Sequence, residues 1–367
     1  MNGEPMIRAV RRVSLIQQSV LAAIGLVCGS LMLQAQSLDR SVLVREFIYG
    51  KAPFRSAHAS TIVETPARTL LAAWFGGTNE GNRDVEIWLS RKTAGKNWSA
   101  PIALTETPDM PTWNPVLFQD GGTTWLFFKV GPSPREWVEG YRISGDDGVM
   151  WSPVKYLPAG LTGPIRAKPI RLTDGTWLAG TSFEAGYDSN TGADAPSRSW
   201  AVWVERSTDR GTTWTKHGPI VAPDEPYGVI QPTLWETSNS KVQMLMRSTE
   251  RLGQIMKSSS DDGGRAWLPA RRTQLPNPNA GIDVLRLRSG VLLLVYNHLK
   301  QGRNAIHLAV SKNEGETWGD PYLLEGGQSE LSYPAVIQSI DGMVHITYTW
   351  NRTHIRHLVI NPDLLPK

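Results

Sequence analysis

The stretch STDRGTTW, Ser207 to Trp214, decides how the rest of the chain is read. It has the chemistry of a tight turn between two strands. Asp209 can accept hydrogen bonds from nearby backbone N–H groups, and Gly211 tolerates the positive φ that such a turn demands. Trp214 opens the outgoing strand with a large apolar face. Copies of the pattern recur as SGDDGVMW (Ser144–Trp151), SSDDGGRAW (Ser259–Trp267, read as one residue longer) and SKNEGETW (Ser311–Trp318), with a degraded SRKTAGKNW at Ser90–Trp98. The tryptophans are spaced at roughly 50–60 residues, the period of a propeller blade.

The segments between these turns read as strands. Leu70–Phe75, Val85–Ser90, Thr124–Lys129, Trp177–Thr181, Trp200–Arg206, Val242–Arg247, Val291–Asn297 and Ala305–Ser311 are β-branched or aromatic and bounded by turn residues. Asp120-Gly121, Asp174-Gly175 and Asp341-Gly342 are hairpin signals. The first blade is expected to start near His58. Met343–Trp350 and His354–Ile360 are expected to close the ring beside the N-terminal strand, which protects sheet edges. His354 and His357 have no acidic residue near them in sequence and read as strand surface.

The chain has 367 residues, with 20% charged and 40% hydrophobic, as for a soluble globular protein. The start reads as an export signal over residues 1–35. Arg8, Arg11 and Arg12 precede an apolar run from Val20 to Leu33, and Leu33-Gln34-Ala35 offers a cleavage site. Residues 36–367 then form one propeller domain. The formal charge is +4; the leader's three arginines and Glu4 account for half of it. The remainder is too small to argue for nucleic acid or a membrane surface. Cys28 lies within the leader, so the mature chain has neither a disulfide nor a thiolate nucleophile. An exported monomer, periplasmic or secreted, is expected. No phosphate-binding glycine loop or paired-histidine spacing is present, and no cofactor or metal is expected.

The repeated turn is the Asp-box, and through it the sequence resembles the sialidase (neuraminidase) superfamily in its BNR-repeat form. The resemblance implies an all-β, six-bladed β-propeller with Asp-box hairpin turns remote from the catalytic face. It also implies an exo-acting, retaining glycoside hydrolase for a terminal acidic sugar, with a glycan substrate. That family holds the sugar's carboxylate with three arginines, whose planar guanidinium groups suit it. It uses a tyrosine nucleophile assisted by a glutamate, and an aspartate as acid/base.

Carried onto this chain, VQMLMRSTERLGQIMKSSSDDGGRAW puts Arg247 at the family's second arginine, and LLLVYNHLKQGRNAIHLAVSKNEGETW puts Arg303 at the third. SELSYPAVIQSIDG puts Tyr333 at the nucleophile. Elsewhere the chain departs from the pattern. HASTIVETP puts His58 where the first arginine belongs, with Arg55 three residues earlier as a substitute. FGGTNEGNRDVEIW offers Glu80 or Asp84 as the acid. The assisting glutamate falls at Gln231, which cannot act as a base; Glu330, on the segment of Tyr333, is the favoured replacement, with Glu225 and Glu236 as others. Asn279, Asp283 and Asn297 are expected to line the same pocket. Two further readings stay open: a hydrolase or lyase for other uronate-bearing glycans centred on His58, and a propeller that binds glycans without cleaving them.

Overall fold

The computed structural model describes residues 40–105, 109–185, 199–223 and 228–365. The expected leader, with Cys28, lies outside them, as does Glu225. The described chain forms six antiparallel sheets of four strands each, arranged as the blades of a propeller. Blade one is β2 (Ser56–Glu64), β3 (Leu70–Gly77), β4 (Glu86–Lys92) and β5 (Ile102–Ala103). Blade two is β6 (Thr112–Asp120), β7 (Thr123–Val130), β8 (Val138–Ser144) and β9 (Lys155–Tyr156). Blade three is β10 (Ile170–Arg171), β11 (Trp177–Ala185), β12 (Ser199–Ser207) and β13 (Thr215–Ile220). Blade four is β14 (Val229–Glu236), β15 (Val242–Ser248), β16 (Gln254–Ser260) and β17 (Arg271–Pro276). Blade five is β18 (Asp283–Arg286), β19 (Leu292–Tyr296), β20 (Ala305–Ser311) and β21 (Tyr322–Gly326). Blade six takes β22 (Leu331–Gln338), β23 (Val344–Trp350) and β24 (His354–Ile360) from the C-terminal end, and β1 (Val42–Phe47) as its outer strand. The ring therefore closes by β1 pairing with β24, as expected.

Burial between blades holds the ring together. Leu71, Phe75, Leu117 and Phe128 pack blade one on blade two; Leu293, Leu308, Val336 and Ile346 pack blade five on blade six. Each fully buried side chain of this size contributes about 1.5–3 kcal/mol. The four full Asp-boxes form one repeated hydrogen-bonded turn. In the founding copy, the Ser207 hydroxyl donates to Asp209 at 2.8 Å and accepts the Gly211 N–H at 2.7 Å. Asp209 accepts the Thr213 N–H at 2.8 Å, and the Trp214 indole N–H donates to the Gly211 carbonyl at 3.1 Å. The third copy begins at Ser260, not Ser259. Ser260 donates to Asp262 at 2.8 Å and accepts the Gly264 N–H at 2.9 Å, so it has the same length as the others.

His357 corrects the surface reading. It is 1% exposed, and its Nδ1 meets Glu46 of β1 at 2.9 Å while its Nε2 meets His345 at 3.0 Å. The acidic partner comes from the far end of the chain, so local sequence could not reveal it.

A second repeat sets the inner strands. Ala59, Asn114, Gln231 and Tyr333 have φ of 56°, 40°, 52° and 54°, each inside the first strand of its blade. The ladder skips at those points, between His58 and Thr61, Trp113 and Val116, Ile230 and Thr233, and Ser332 and Ala335. Gly163 and Asn279, with φ of 59° and 57°, precede β10 and β18. Such a bulge re-aims a side chain, and a non-glycine residue held there stores about 1–3 kcal/mol. Proline follows Asn114, Gly163, Gln231 and Tyr333, at a step where a ladder N–H is dispensable.

Candidate functional site

Every blade starts its inner strand at the same end of the propeller axis, and the loops between second and third strands lie at that end too. The Asp-boxes, between third and fourth strands, lie at the other. The starts of β2, β14 and β22, with the loops after β3, β15, β19 and β23, bring one polar cluster together.

Tyr333 is its centre. Its hydroxyl accepts a hydrogen bond of 2.5 Å from Nη1 of Arg247, the penultimate residue of β15. The same nitrogen donates to Gln231 Oε1 at 3.0 Å, and Arg247 Nε donates to Asn279 Oδ1. Asn279 in turn donates to Glu250 at 2.6 Å. Arg303 donates to the Asn279 carbonyl and to Glu330 at 3.3 Å. Glu330 also accepts Ser332 at 2.6 Å and Arg352 Nε at 2.8 Å, and Arg352 reaches on to Glu80. The guanidinium carbons of Arg166, Arg247 and Arg303 lie 5.2, 5.7 and 5.7 Å from the centre of the Tyr333 ring.

Sequence reasoning missed Arg166 and Arg352. Arg166 is 1% exposed and donates from Nη2 to the Pro334 carbonyl at 2.5 Å; its Nε has no partner. A buried network fixes the segment that carries it. Glu205 accepts the N–H groups of Thr162 and Gly163, both at 2.8 Å. Lys129, ion-paired with buried Glu139, donates to the carbonyls of Thr162 and Pro164 at 2.7 and 2.9 Å. The signal for Arg166 was Gly163-Pro164, which has the same bulge-proline form as Gln231-Pro232 and Tyr333-Pro334. Arg352 sits at φ 58° in the turn between β23 and β24, and no motif marks it.

His58 is 1% exposed, with its ring 4.1 Å from that of Tyr333 and edge-on to Phe75 at 5.5 Å. Its Nδ1 meets the Thr349 hydroxyl at 2.9 Å, and its Nε2 has no partner. Burial, then the charges of Arg352, Arg303, Arg166 and Arg247, hold its pKa well below the usual imidazole range, so the ring is neutral. Burial alone would raise the pKa of Glu330; the bond and charge of Arg352, with Ser332 and Arg303, outweigh it and hold the carboxyl below its ordinary range.

The other expected residues take no part in the hydrogen bonds around the Tyr333 hydroxyl. Arg55 is exposed. Asp84 is exposed and caps its own loop, accepting the Thr78 N–H and hydroxyl at 2.8 and 2.7 Å. Asn297 is fully buried and donates to the carbonyls of Ala305 and Leu331, both at 2.7 Å. Asp283 lies deeper on the axis. It accepts Lys168 at 2.9 Å, the Thr233 hydroxyl at 3.0 Å and the Val336 N–H at 2.9 Å, tying blades three, four, five and six together. Glu236 is at the opposite end, accepting the N–H and hydroxyl of Thr173 at 2.8 Å. A cavity of 710 Å³ opens there, lined by Lys168, Arg171 and Arg286 among others. Each of those cations already faces a carboxylate, on Asp283, Asp120 and Glu314. The Tyr333 end is therefore taken as the candidate site.

Known structures share this architecture. A Hadza microbial sialidase, Hz136, superposes with a TM-score of 0.69 at 19% identity; the match covers 84% of this chain and 66% of that one, just under two thirds. A protein of unknown function from Dyadobacter fermentans gives 0.70 at 18% identity, over 87% of this chain and 98% of that one. The K499G mutant of NanB sialidase from Streptococcus pneumoniae gives 0.69 at 12%, over 88% and 71%. At these identities the likeness speaks for the fold. No curated protein sequence matches. The BNR repeat-like domain matches residues 68–346, most of the propeller. With that match over most of the propeller, the chain belongs to the BNR repeat-like domain family.

Proposed function

We propose that this chain is an exported, exo-acting glycoside hydrolase that removes a terminal acidic sugar of the sialic acid class, retaining configuration through a glycosyl–Tyr333 intermediate. The observation that supports it most is the convergence of Arg166, Arg247 and Arg303 on the Tyr333 ring, with the hydroxyl bonded to Arg247. Arg247 is the natural seat for a sugar carboxylate, because its partners Gln231, Asn279 and Tyr333 are all neutral. Arg303 and Arg352 flank it and are held in place by Glu330. Glu80, on the rim beside Arg352, is the candidate acid/base. The test is a screen of the purified chain against fluorogenic sialic acid, glucuronide and rhamnoside substrates. Release from the acidic sugars but not the rhamnoside supports the reading. Binding of acidic glycans with no release leaves a glycan-binding propeller.

One observation favours a second reading. His58 stands where the family has an arginine, with an unpartnered ring nitrogen. Elimination from a uronate-bearing glycan, with His58 taking the proton, would leave an unsaturated, ultraviolet-absorbing product that hydrolysis does not give.

A further inference from the structure

We propose that His58 is the proton acceptor for Tyr333, and that the carboxylate of an acidic substrate switches it on. The inference rests on the acidic-sugar reading and goes beyond it: substrate charge becomes a condition for catalysis, not only for binding.

The usual acceptor is missing, since Gln231 carries an amide where a carboxylate would serve and spends its oxygen on Arg247. Glu330 is engaged by Arg303, Arg352 and Ser332. Glu250 is bonded to Asn279 and makes no bond to Tyr333, so the acceptor in contact with the phenol is the imidazole packed on its ring, with one nitrogen unpartnered although buried. Thr349 Oγ1 has two lone pairs; it accepts the Ala59 N–H at 3.2 Å and can also accept Nδ1–H of His58. That tautomer leaves a free lone pair on Nε2.

Burial and the surrounding guanidinium groups keep this base weak. Its charged surroundings are Arg352 from blade six, Arg303 from blade five, Arg247 from blade four and Arg166 from blade three, with Glu330 and Glu80 beyond Arg352. Tyr333 and Thr349 from blade six and Phe75 from blade one complete the contacts. One carboxylate placed among those guanidinium groups offsets their repulsion of an imidazolium. A unit charge at about 6 Å, with an effective dielectric near 20, changes proton affinity by about a hundredfold.

In the first half-reaction the Tyr333 oxygen forms its bond to the anomeric carbon while the bond to the aglycone oxygen breaks. The phenol proton moves to His58 Nε2 across a bridging water, since no direct hydrogen bond joins the two, and the aglycone oxygen takes a proton from Glu80 once that carboxylate has left Arg352 and picked one up from solvent. In the second half, water bonds to the anomeric carbon and gives a proton to Glu80. The carbon–Tyr333 bond breaks, and the imidazolium returns its proton to the phenol oxygen.

The test needs no turnover. Binding of N-acetylneuraminic acid and glucuronic acid is measured by calorimetry in two buffers of different ionisation enthalpy, between about pH 5 and 8. The wild-type chain is expected to take up a fraction of a proton per sugar bound. The methyl esters should take up none, and His58→Gln should bind the acids without uptake. In parallel, the ¹⁵N signals of His58 in the wild-type chain should show the Nδ1–H tautomer and titrate at least one pH unit higher with the acid bound. Acid binding with no linked proton, uptake that persists in His58→Gln, or an unmoved His58 titration overturns this inference and leaves the acidic-sugar reading standing. Failure of every acidic sugar to bind overturns both.

Discussion

At the scale of single residues, the site is a balance of charge around one phenol. Arg303 and Arg352 are held by Glu330, whereas Arg247 is held by neutral groups and keeps its charge available. Tyr333→Phe should lower turnover of the acidic substrate by at least about 10³-fold. It leaves Arg247 its bonds to Gln231 and Asn279, so thermal denaturation should move by only a few degrees. Arg247→Lys keeps the charge and loses the fork; KM for an acidic sugar should rise about tenfold or more, whereas a small change would mean the carboxylate sits elsewhere. Arg247, Arg303, Gln231, Asn279 and Tyr333 were legible in the sequence because motifs fix their blades and strand ends. Asp283 and Asn297 were placed in the pocket by proximity along the chain. The structure gives both of them buried structural bonds, Asp283 to Lys168, Thr233 and Val336 and Asn297 to the carbonyls of Ala305 and Leu331. Arg166 was hidden because the inner strand of blade three is only two residues long and reads as a loop.

Among the elements, the Asp-box turns and the inner bulges divide the work. The turns fasten blades, and the bulges aim side chains. Gly211 has φ 84°, and a Cβ there would lie 2.8 Å from Trp177 and 3.3 Å from Trp125 of the preceding blade. Gly315 is tighter still, at 2.5 Å from Trp235. Gly211→Ala should therefore destabilise the fold by about 1–3 kcal/mol through backbone strain and overpacking together. Urea denaturation checks this, and the fluorogenic assay at low temperature should show near-normal activity, because the turn is at the opposite end from Tyr333. The turns were legible since serine, aspartate, glycine and tryptophan each have a separate bonding role at fixed spacing. The bulges were not. Their signature is a backbone angle, which alanine, asparagine, glutamine and tyrosine all satisfy, so only the following prolines hint at it.

For the molecule as a whole, closure and the axial ties decide stability. Asp283 joins four blades from a position 1% exposed, and Asp283→Ala should cost about 3–5 kcal/mol by leaving Lys168 and the Val336 N–H without their partner. The closing seam gives a pH dependence. Burial, then the neighbouring His357, pushes the His345 pKa down to about 4. The unfolded chain binds this proton near its ordinary 6.5 and the folded chain does not, so the contribution is complete above 6.5 and is lost as pH falls towards 4. The His357 bond, with burial opposing and Lys92 assisting, holds Glu46 down to about 2, which extends the loss below 4.5. Thermal denaturation should fall across this window, and His345→Gln should flatten the upper part of it. The six-bladed ring followed from the resemblance that the repeated turns carry, and its closure from Met343–Trp350 and His354–Ile360 read beside the N-terminal strand. The His345–His357–Glu46 chain joins the two ends of the sequence, a contact that no local pattern encodes.

The central claim is that the guanidinium groups meet at Tyr333 so that its oxygen can carry a sugar. Mass spectrometry of the Tyr333 peptide, after incubation with an acidic sugar bearing fluorine at the anomeric and adjacent carbons, tests this directly. The account predicts the added mass of one glycosyl group on Tyr333 and none in Tyr333→Phe. Turnover of acidic substrates with that peptide unmodified, or with the label on another residue, would contradict it.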